Sequence, residues 1–391
     1  MNVVKRLFTK EYLLLGLILG FSLLLRMYYM LSIAHPPLIY DAHNYDVMTK
    51  QLLDNSLLGY DSTEPNAFTT PGYPLFLAVL YKIFGYSQTS PLMEVRIVQT
   101  VLSTINICLL YLLAKQISNK RVALMSALFL SVYPVAIWVP TTILTETLYT
   151  FLFLLYLNVQ MIALNRKSLA INFFTGMVLA SAVLVRPLIA PLIILPYIYC
   201  YMKSKDRFLI KGFLINAAGF VLVMLPWWIR NVIVLHKFVL FATQEDPLLR
   251  GTYPYEIGIE NMPYSNQKQE AVRRLKEGFT KQPLLYLKWY TIGKFDWLYF
   301  KIYYYVDDKI TTLRSLLPLH NFFVWFGWVG VINAAVNKEI RLTALYIIFI
   351  TLAHQIFVAT SRYAYPQMHL LILLTAYLLD ILFFRNKAAF V

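Results

Sequence analysis

The chain has 391 residues, of which 59% are hydrophobic, 16% aromatic and only 14% charged, and its mean hydropathy is +0.58. A soluble domain of this length has too little interior to hide that much apolar surface, so the composition excludes a soluble protein and indicates a polytopic membrane protein. The formal net charge is +15. However, many of the basic residues lie in short clusters between apolar runs, which predicts membrane topology and argues against nucleic-acid binding.

Ten apolar segments are long enough to be taken, in chain order, as membrane spans. They cover residues 12–33, 94–114, 122–139, 142–163, 169–186, 188–202, 208–228, 318–336, 342–359 and 365–384. The first is too long for the apolar core of a signal peptide, and no small-residue cleavage site follows it, so we expect it to remain as an anchor helix. The sequence therefore predicts an all-α membrane protein with one transmembrane domain over residues 1–391.

Clusters of lysine and arginine orient this threading, because such clusters favour the cytoplasmic side of a membrane. The sixteen residues of the clusters are Lys5, Arg6, Lys10, Lys115, Lys120, Arg121, Arg166, Lys167, Lys203, Lys205, Arg207, Lys211, Lys338, Arg341, Arg385 and Lys387. Placing them inside puts both termini in the cytoplasm. Two large insertions then lie outside, a first outer loop over residues 34–91 and a second over residues 229–316.

The outer loops contain two further apolar stretches. Residues 74–85 are too few to cross a bilayer, and counting them as a span would put the basic clusters outside, so we expect an interfacial or re-entrant helix there. Residues 270–300 have apolar side chains at helical spacing together with several tryptophans and tyrosines, which predicts a helix lying in the membrane interface.

Four charged residues are predicted to meet on the outer face. Asp41 opens the first outer loop, Arg186 ends the fifth span, Arg230 follows the seventh, and Arg362 lies between the ninth and tenth. Charges beside membrane segments are costly and mark functional candidates, although single arginines at helix ends also act as anchors. Three arginines on the side away from the basic clusters are unexpected, because lysine and arginine favour the cytoplasmic side. We therefore expect them to form a site with Asp41.

This set of residues suits the transfer of a sugar from a lipid phosphate. Asp41 would act as the general base for an acceptor hydroxyl. The leaving phosphate needs no general acid, and guanidinium groups would stabilise its charge. A single displacement would invert the anomeric carbon. The structural alternative for Asp41 is that it caps a helix beginning near Asn44.

An ordered set of motifs resembles the membrane-embedded GT-C glycosyltransferases. The similarity is to the bacterial relatives of dolichyl-phosphate-mannose-protein mannosyltransferase and of the aminoarabinose transferase that acts on lipid A. It is carried by Arg26 in LLLRMYY, then YDAHNYDVMTKQLL, PGYPLFLAVLYKIFG, LTETL, LVRP, PWWIRN and SRYAYP, which together span most of the chain.

The resemblance implies a GT-C-like bundle of about ten helices, a catalytic Asp41, and phosphate binding by Arg230 and Arg362, with Arg186 as a weaker candidate. In the family the aspartate is often followed by a second acidic residue. Here Ala42 stands in that place, so no role for a second acid carries over.

Two more residues are candidate substrate ligands with open alternatives. Glu146 lies near the outer end of the fourth span, where it would steer the acceptor or bond a neighbouring helix. His43 lies two residues from Asp41, where it would bind substrate or remain a solvated loop residue. Neither cysteine, histidine nor carboxylate spacing matches a metal site, so no metal or other cofactor is indicated, and a divalent ion is left open.

The function expected from the sequence is therefore inverting hexosyl or pentosyl transfer at the outer face of a cell membrane. The donor would be a polyprenyl-phosphate sugar, and the acceptor a protein, a lipid or an envelope glycan. A transporter or flippase of lipid-linked sugars without transfer chemistry is the alternative, although the two halves of the chain show no symmetry and the charges lie at helix ends rather than mid-span. A structural scaffold for envelope enzymes is a third interpretation, but a scaffold would not need Asp41 and the arginines.

Overall fold

The computed structural model describes residues 10–86, 89–263, 265–302 and 317–385, and within them it contains helices and no strands. The helices of the first half are α1 (Lys10–Ser32), α2 (Tyr40–Asn55), α3 (Gly72–Phe84), α4 (Leu92–Ile117), α5 (Lys120–Val132), α6 (Pro134–Trp138), α7 (Glu146–Arg166) and α8 (Leu169–Val183). Those of the second half are α9 (Leu195–Ser204), α10 (Phe208–Leu235), α11 (Asp246–Arg250), α12 (Gln267–Lys281), α13 (Pro283–Lys288), α14 (Lys294–Tyr299), α15 (Leu317–Asn333), α16 (Arg341–Ile356) and α17 (Ser361–Asp380). The all-α prediction is confirmed.

Each of the ten predicted spans coincides with helix, but the helices differ in length. In the described residues seven helices are long and apolar enough to cross a membrane, and a bent pair would make an eighth. Helix α8 has 15 residues, so at about 1.5 Å per residue it falls short of a 30 Å hydrocarbon core. The chain is a multi-pass membrane protein whose helix count agrees with the prediction only approximately.

The predicted third span is broken rather than straight. Helix α5 ends at Val132, and Pro134 starts a second helical segment that reaches Thr141 at an angle of 64°. Proline disfavours helical geometry in the preceding residue, and Tyr133 is accordingly extended, with ψ 118°. The bend leads the chain across the bundle towards the start of α7.

Arg26 holds this break in place from inside the bundle. Its side chain is completely buried in α1, and its guanidinium donates to the carbonyls of Leu130, Ser131 and Ala136 and to the hydroxyl of Ser103. The carbonyls at a helix end have no partner within the helix. One arginine therefore supplies the donors that the broken span lacks.

Helices α8 and α10 pack against each other through glycine. A Cβ atom added to Gly176 would lie 1.8 Å from the carbonyl oxygen of Asn216, and one added to Gly219 would lie 2.0 Å from that of Phe173. Small residues allow such close backbone approach between membrane helices, where lipid provides no hydrophobic drive for association. The crossing places the end of α8, with Arg186 after it, beside the rest of the bundle.

Ion pairs close the end of the bundle that carries the basic clusters. Lys115 pairs with Glu11 at 2.7 Å and Lys167 with Asp206 at 2.6 Å, and Arg121 approaches Asp380 at 3.4 Å. The predicted basic residues Lys5, Arg6 and Lys387 lie outside the described residues, as does the side chain of Arg385.

The two large insertions both contain the short helices that the sequence predicts. Helix α3 has 13 residues and covers the apolar stretch at the end of the first insertion. The stretch near the end of the second forms α12, α13 and α14, joined by a wide turn over Trp289–Gly293. Their location on the outer face, and in the membrane interface, remains a prediction. The predicted boundaries also include residues 87–88, 264 and 303–316, which lie outside the described residues.

Candidate functional site

A cavity of about 460 Å³ opens where the first insertion meets the ends of the bundle helices. Its wall includes the polar side chains of Asp41, Tyr60, Arg186 and Arg362, which the chain brings from separate elements. This volume falls in the usual range for small-molecule sites. The cavity is therefore large enough for a sugar and its attached group.

Asp41 lies in the first turn of α2 and presents its carboxylate to the cavity. One oxygen, Oδ1, accepts a 2.7 Å hydrogen bond from the Tyr60 hydroxyl, and Oδ2 accepts one of 2.6 Å from Nη1 of Arg362. The side chain is still 42% exposed, so the carboxylate remains accessible. The residue that precedes α2 is Ile39, and no side chain caps the helix. The capping alternative for Asp41 is therefore wrong.

The environment of Asp41 keeps it ionised. Burial alone raises the pKa of the carboxyl group, but the charge of Arg362 and the Tyr60 hydrogen bond outweigh burial and hold the pKa below its usual range. Conversely, burial and the Asp41 charge raise the pKa of Tyr60, so its hydroxyl stays protonated and donates. Asp41 is consequently a carboxylate at neutral pH, ready to accept a proton but weakly basic while Arg362 is bound to it.

Glu146 connects the two arginines of the cavity. It lies in the first turn of α7 with no exposed surface, and its Oε1 accepts a 2.8 Å hydrogen bond from Nη2 of Arg186 and a second from Nε of Arg362. A buried carboxylate is stable only when it is paired in this way. Glu146 therefore lies behind the cavity wall and holds the two guanidinium groups beside each other.

Arg186 follows α8 at a position that Pro187 keeps out of the helix. Its Nε donates to the Thr145 hydroxyl at 2.9 Å, and its guanidinium lies over the rings of Tyr149 and Tyr363 at 5.6 and 5.1 Å. Arginine stacks readily on aromatic faces. These contacts leave the side chain 15% exposed at the cavity wall, and that of Arg362 17% exposed.

Two carboxylates and two guanidinium groups thus alternate in one chain of contacts, Asp41–Arg362–Glu146–Arg186. The four charges cancel. Because charged hydrogen bonds are stronger than neutral ones and arginine binds phosphate in bidentate form, an incoming phosphate would compete with the carboxylates for both arginines. The predicted association of Asp41 with Arg186 and Arg362 is therefore seen in the structure, and Glu146 is its buried link.

Arg230 and His43 lie apart from the cavity wall formed by the described residues. Arg230 donates to the carbonyls of Asn66 and Leu58 at 2.9 and 2.8 Å, so it ties the first insertion to α10. His43 is exposed on α2. Their roles as substrate ligands remain predictions, and for Arg230 the contacts favour an anchoring role.

Several residues of the wall carried no signal that singled them out in the sequence. Tyr60 is one of 29 tyrosines in the chain, and its bond to Asp41 depends on how the first insertion folds. His354, Tyr363 and Gln367 lie on α16 and α17 with their side chains at the cavity. Nδ1 of His354 bonds to the carbonyl of Val358, in the turn after its own helix, at 3.0 Å.

The comparisons with known proteins agree with this architecture. Residues 68–229 match the family described as dolichyl-phosphate-mannose-protein mannosyltransferase. No curated protein sequence matches the chain. Among solved structures, the Archaeoglobus fulgidus oligosaccharyltransferase tethered to an acceptor peptide containing the NVT sequon aligns over 97% of this chain and 50% of its own, with a TM-score of 0.62 and 15% identity. This chain has the GT-C fold.

Two further GT-C structures show the same relationship. ArnT from Cupriavidus metallidurans bound to undecaprenyl phosphate aligns over 93% of this chain and 60% of its own, with a TM-score of 0.57 and 12% identity. The archaeal AglB from Archaeoglobus fulgidus in complex with an inhibitory peptide and a dolichol-phosphate aligns over 95% and 50%, with a TM-score of 0.61 and 14% identity. The chain spans half to three-fifths of the length of these structures. The resemblance stated from the sequence is confirmed at the level of the fold.

No metal centre is formed by the residues that the structure describes. Within them, no three side chains of histidine, cysteine, aspartate or glutamate are grouped so as to hold a metal ion. Asp41 at the cavity and Glu146 behind its wall are joined by Arg362, whose positive charge lies between the two carboxylates. The charged groups that the described residues bring together at this site are carboxylates and guanidinium groups.

Proposed function

We propose that the protein is an inverting glycosyltransferase that uses a polyprenyl-phosphate sugar as donor. The observation that carries this proposal is the charge array at the cavity, in which an accessible carboxylate touches one of two neighbouring arginines. Displacement of a phosphate from a sugar requires a general base for the acceptor and positively charged groups that stabilise the leaving phosphate. Neither a transporter nor a scaffold needs an accessible carboxylate held in this geometry.

The reaction would take place in one step. The acceptor hydroxyl attacks the anomeric carbon and gives its proton to Asp41, while the bond between that carbon and the phosphate oxygen breaks. The polyprenyl phosphate leaves with the bonding electrons, and Arg186 and Arg362 stabilise its charge. The new glycosidic bond forms on the face opposite the departing phosphate, so the configuration is inverted.

Arg362 would couple donor binding to activation of the base. Its Nη1 group lies 2.6 Å from Oδ2 of Asp41, and this contact lowers the pKa of Asp41. A donor phosphate that draws Arg362 away removes that influence, so Asp41 becomes more basic when the acceptor must be deprotonated. This order would also limit wasteful proton transfer before the donor is bound.

The GT-C structures and the position of the cavity support the proposed donor class. The related structures of ArnT and AglB hold undecaprenyl phosphate and a dolichol-phosphate, and the present cavity lies at the ends of apolar helices suited to a lipid chain. The basic clusters at the opposite end of the helices support a cavity on the external face and cytoplasmic termini. The acceptor would be a protein, a lipid or an envelope glycan, and the group transferred a hexosyl or pentosyl unit.

The test uses purified protein in lipid with radiolabelled polyprenyl-phosphate sugars and candidate acceptors. We expect transfer of label to one acceptor class and an inverted linkage in the product. Movement of the intact lipid-linked sugar across vesicle membranes without its cleavage would instead support the alternative, a transporter without transfer chemistry. Transfer with retained configuration would contradict the single-displacement mechanism.

A further inference from the structure

The far wall of the cavity, formed by α16 and α17, carries a polar pair that the reaction above does not use. His354 and Gln367 both line the cavity although each is almost fully buried, with 6% and 1% of the residue exposed. Buried polar groups normally have partners. What these two side chains offer to the cavity is therefore set by the hydrogen bonds they already make.

The bonds of His354 fix its tautomer. Its Nδ1 is 3.0 Å from the carbonyl oxygen of Val358, and because a carbonyl only accepts, Nδ1 must carry the hydrogen. In the neutral imidazole, Nε2 then has a free lone pair, and it makes no hydrogen bond with any residue that the structure describes. The ring stacks on Tyr363 at 5.2 Å between centroids, which fixes its orientation.

The surroundings of His354 keep the imidazole neutral. The guanidinium of Arg186 lies over the same Tyr363 ring, at 5.1 Å. In the turn after His354, the ammonium of Lys294 binds the carbonyls of Gln355 and Phe357, each at 2.8 Å. Burial of the ring disfavours its charged form, and the positive charge of Arg186 opposes a second one nearby. Nε2 is consequently a hydrogen-bond acceptor and not a donor.

Gln367 complements this acceptor with a donor. Its Oε1 accepts from the Tyr299 hydroxyl and lies 3.3 Å from that of Thr351, one helical turn before His354. One hydrogen of Nε2 points to the carbonyl of Tyr363 at 3.4 Å. The second has no partner among the described residues. The carbonyls of Val358 and Tyr363 only accept, so they fix Nδ1 of His354 and Nε2 of Gln367 as donors. The wall thus presents one acceptor and one donor.

We propose that His354 and Gln367 form a subsite that binds a hydroxyl group of the sugar substrate, with Nε2 of His354 accepting its hydrogen. A hydroxyl is the group that both donates and accepts, so it matches the pair, whereas a phosphate oxygen only accepts and would meet the His354 lone pair unfavourably. An ammonium group of an amino sugar would lie near Arg186 and Lys294 and be disfavoured. The subsite therefore selects a neutral, hydroxylated sugar, and this inference rests on the proposed function.

The decisive variant is His354→Asn, whose amide nitrogen keeps a donor at the position of Nδ1 but removes the acceptor at the position of Nε2. If the hydroxyl belongs to the donor, the Kd of this variant for a polyprenyl-phosphate hexose, measured without acceptor, should rise roughly tenfold, the loss expected for one buried hydrogen bond. Its Kd for polyprenyl phosphate without a sugar should not change. His354→Gln, which restores an acceptor near the Nε2 position, should recover most of the affinity. His369→Asn is the matched control, because His369 makes the same type of Nδ1 contact, to Tyr365, away from the cavity wall.

Deoxy analogues identify the source of the hydroxyl. If it belongs to the donor, wild type should bind one deoxy donor about tenfold more weakly than the full donor. His354→Asn should bind that deoxy donor and the full donor with the same affinity. If it belongs to the acceptor, the same pattern should appear in KM for deoxy acceptors. Two results would overturn the proposal. In the first, His354→Asn weakens the binding of sugar-free polyprenyl phosphate as much as that of the sugar donor, which would mean that His354 binds phosphate. In the second, the variant binds every ligand as wild type does. His354→Phe repeats the test if the asparagine variant fails to fold. Absence of transfer by wild type would refute the proposed function while leaving the donor-binding comparison valid.

Discussion

Replacing Glu146 by glutamine removes the negative charge that holds the two arginines of the cavity together. The carboxylate has no exposed surface and accepts hydrogen bonds from Arg186, at 2.8 Å, and from Arg362. Hydrogen bonds to charged groups contribute about 1.5–3 kcal/mol each, and breaking a buried pair costs about 3–5 kcal/mol because the partner charge stays buried. We therefore expect Glu146→Gln to lower the free energy of unfolding by about 3–5 kcal/mol.

The assay is unfolding of the purified protein in detergent, followed by tryptophan fluorescence, with Glu277→Gln as the matched control. Glu277 pairs with Arg273 at 2.7 Å on the exposed surface of α12, where such pairs contribute little, so the control should unfold like wild type. Adding Arg362→Gln to Glu146→Gln should cost less than the sum of the single changes, since Glu146→Gln alone leaves two arginines against one carboxylate and the second change restores the balance of charge. A Glu146→Gln protein as stable as wild type, or strictly additive changes, would refute the role of Glu146 as the buried link.

Three further predictions concern the base, the loop anchor and the packing. Tyr60→Phe removes a hydrogen bond that lowers the pKa of Asp41, so the acidic limb of the pH profile of kcat/KM should move up by about one pH unit; an unmoved limb would exclude Asp41 as its source. Arg230→Met should speed proteolytic cleavage of the first insertion while leaving the Kd for polyprenyl phosphate unchanged, and a loss of that affinity would instead support phosphate binding. Gly176→Ala forces a Cβ to within 1.8 Å of backbone and should destabilise the protein by more than about 1–3 kcal/mol, whereas Gly16→Ala, with open space around it, should not.

The fold was predictable because long apolar runs and basic clusters are local signals. Composition identified a membrane protein, and the ten apolar segments coincide with helices. The bend at Pro134 was not predicted, although the proline is visible in the sequence. Its effect depends on whether the freed carbonyls find donors, and here Arg26 provides them from a helix more than a hundred residues earlier.

The site was predictable in part for the same reason. Charges at apolar ends pointed to Asp41, Arg186 and Arg362, which the structure brings to one cavity. Their partners could not be read locally, because the contact between Arg362 and Asp41 joins residues 321 positions apart. Arg230 has the same local signal as Arg362 but binds loop carbonyls. A charge at a helix end therefore indicates that a partner exists without identifying it.

The central claim, that Asp41 is the base of a sugar transfer, is tested most directly by Asp41→Asn. Asparagine keeps the size of the side chain but cannot accept the proton, so the rate of transfer from a radiolabelled polyprenyl-phosphate sugar should fall by about 10²–10⁴-fold. Binding of the donor, measured without acceptor, should persist because Arg186 and Arg362 remain. Undiminished transfer by Asp41→Asn would contradict the account.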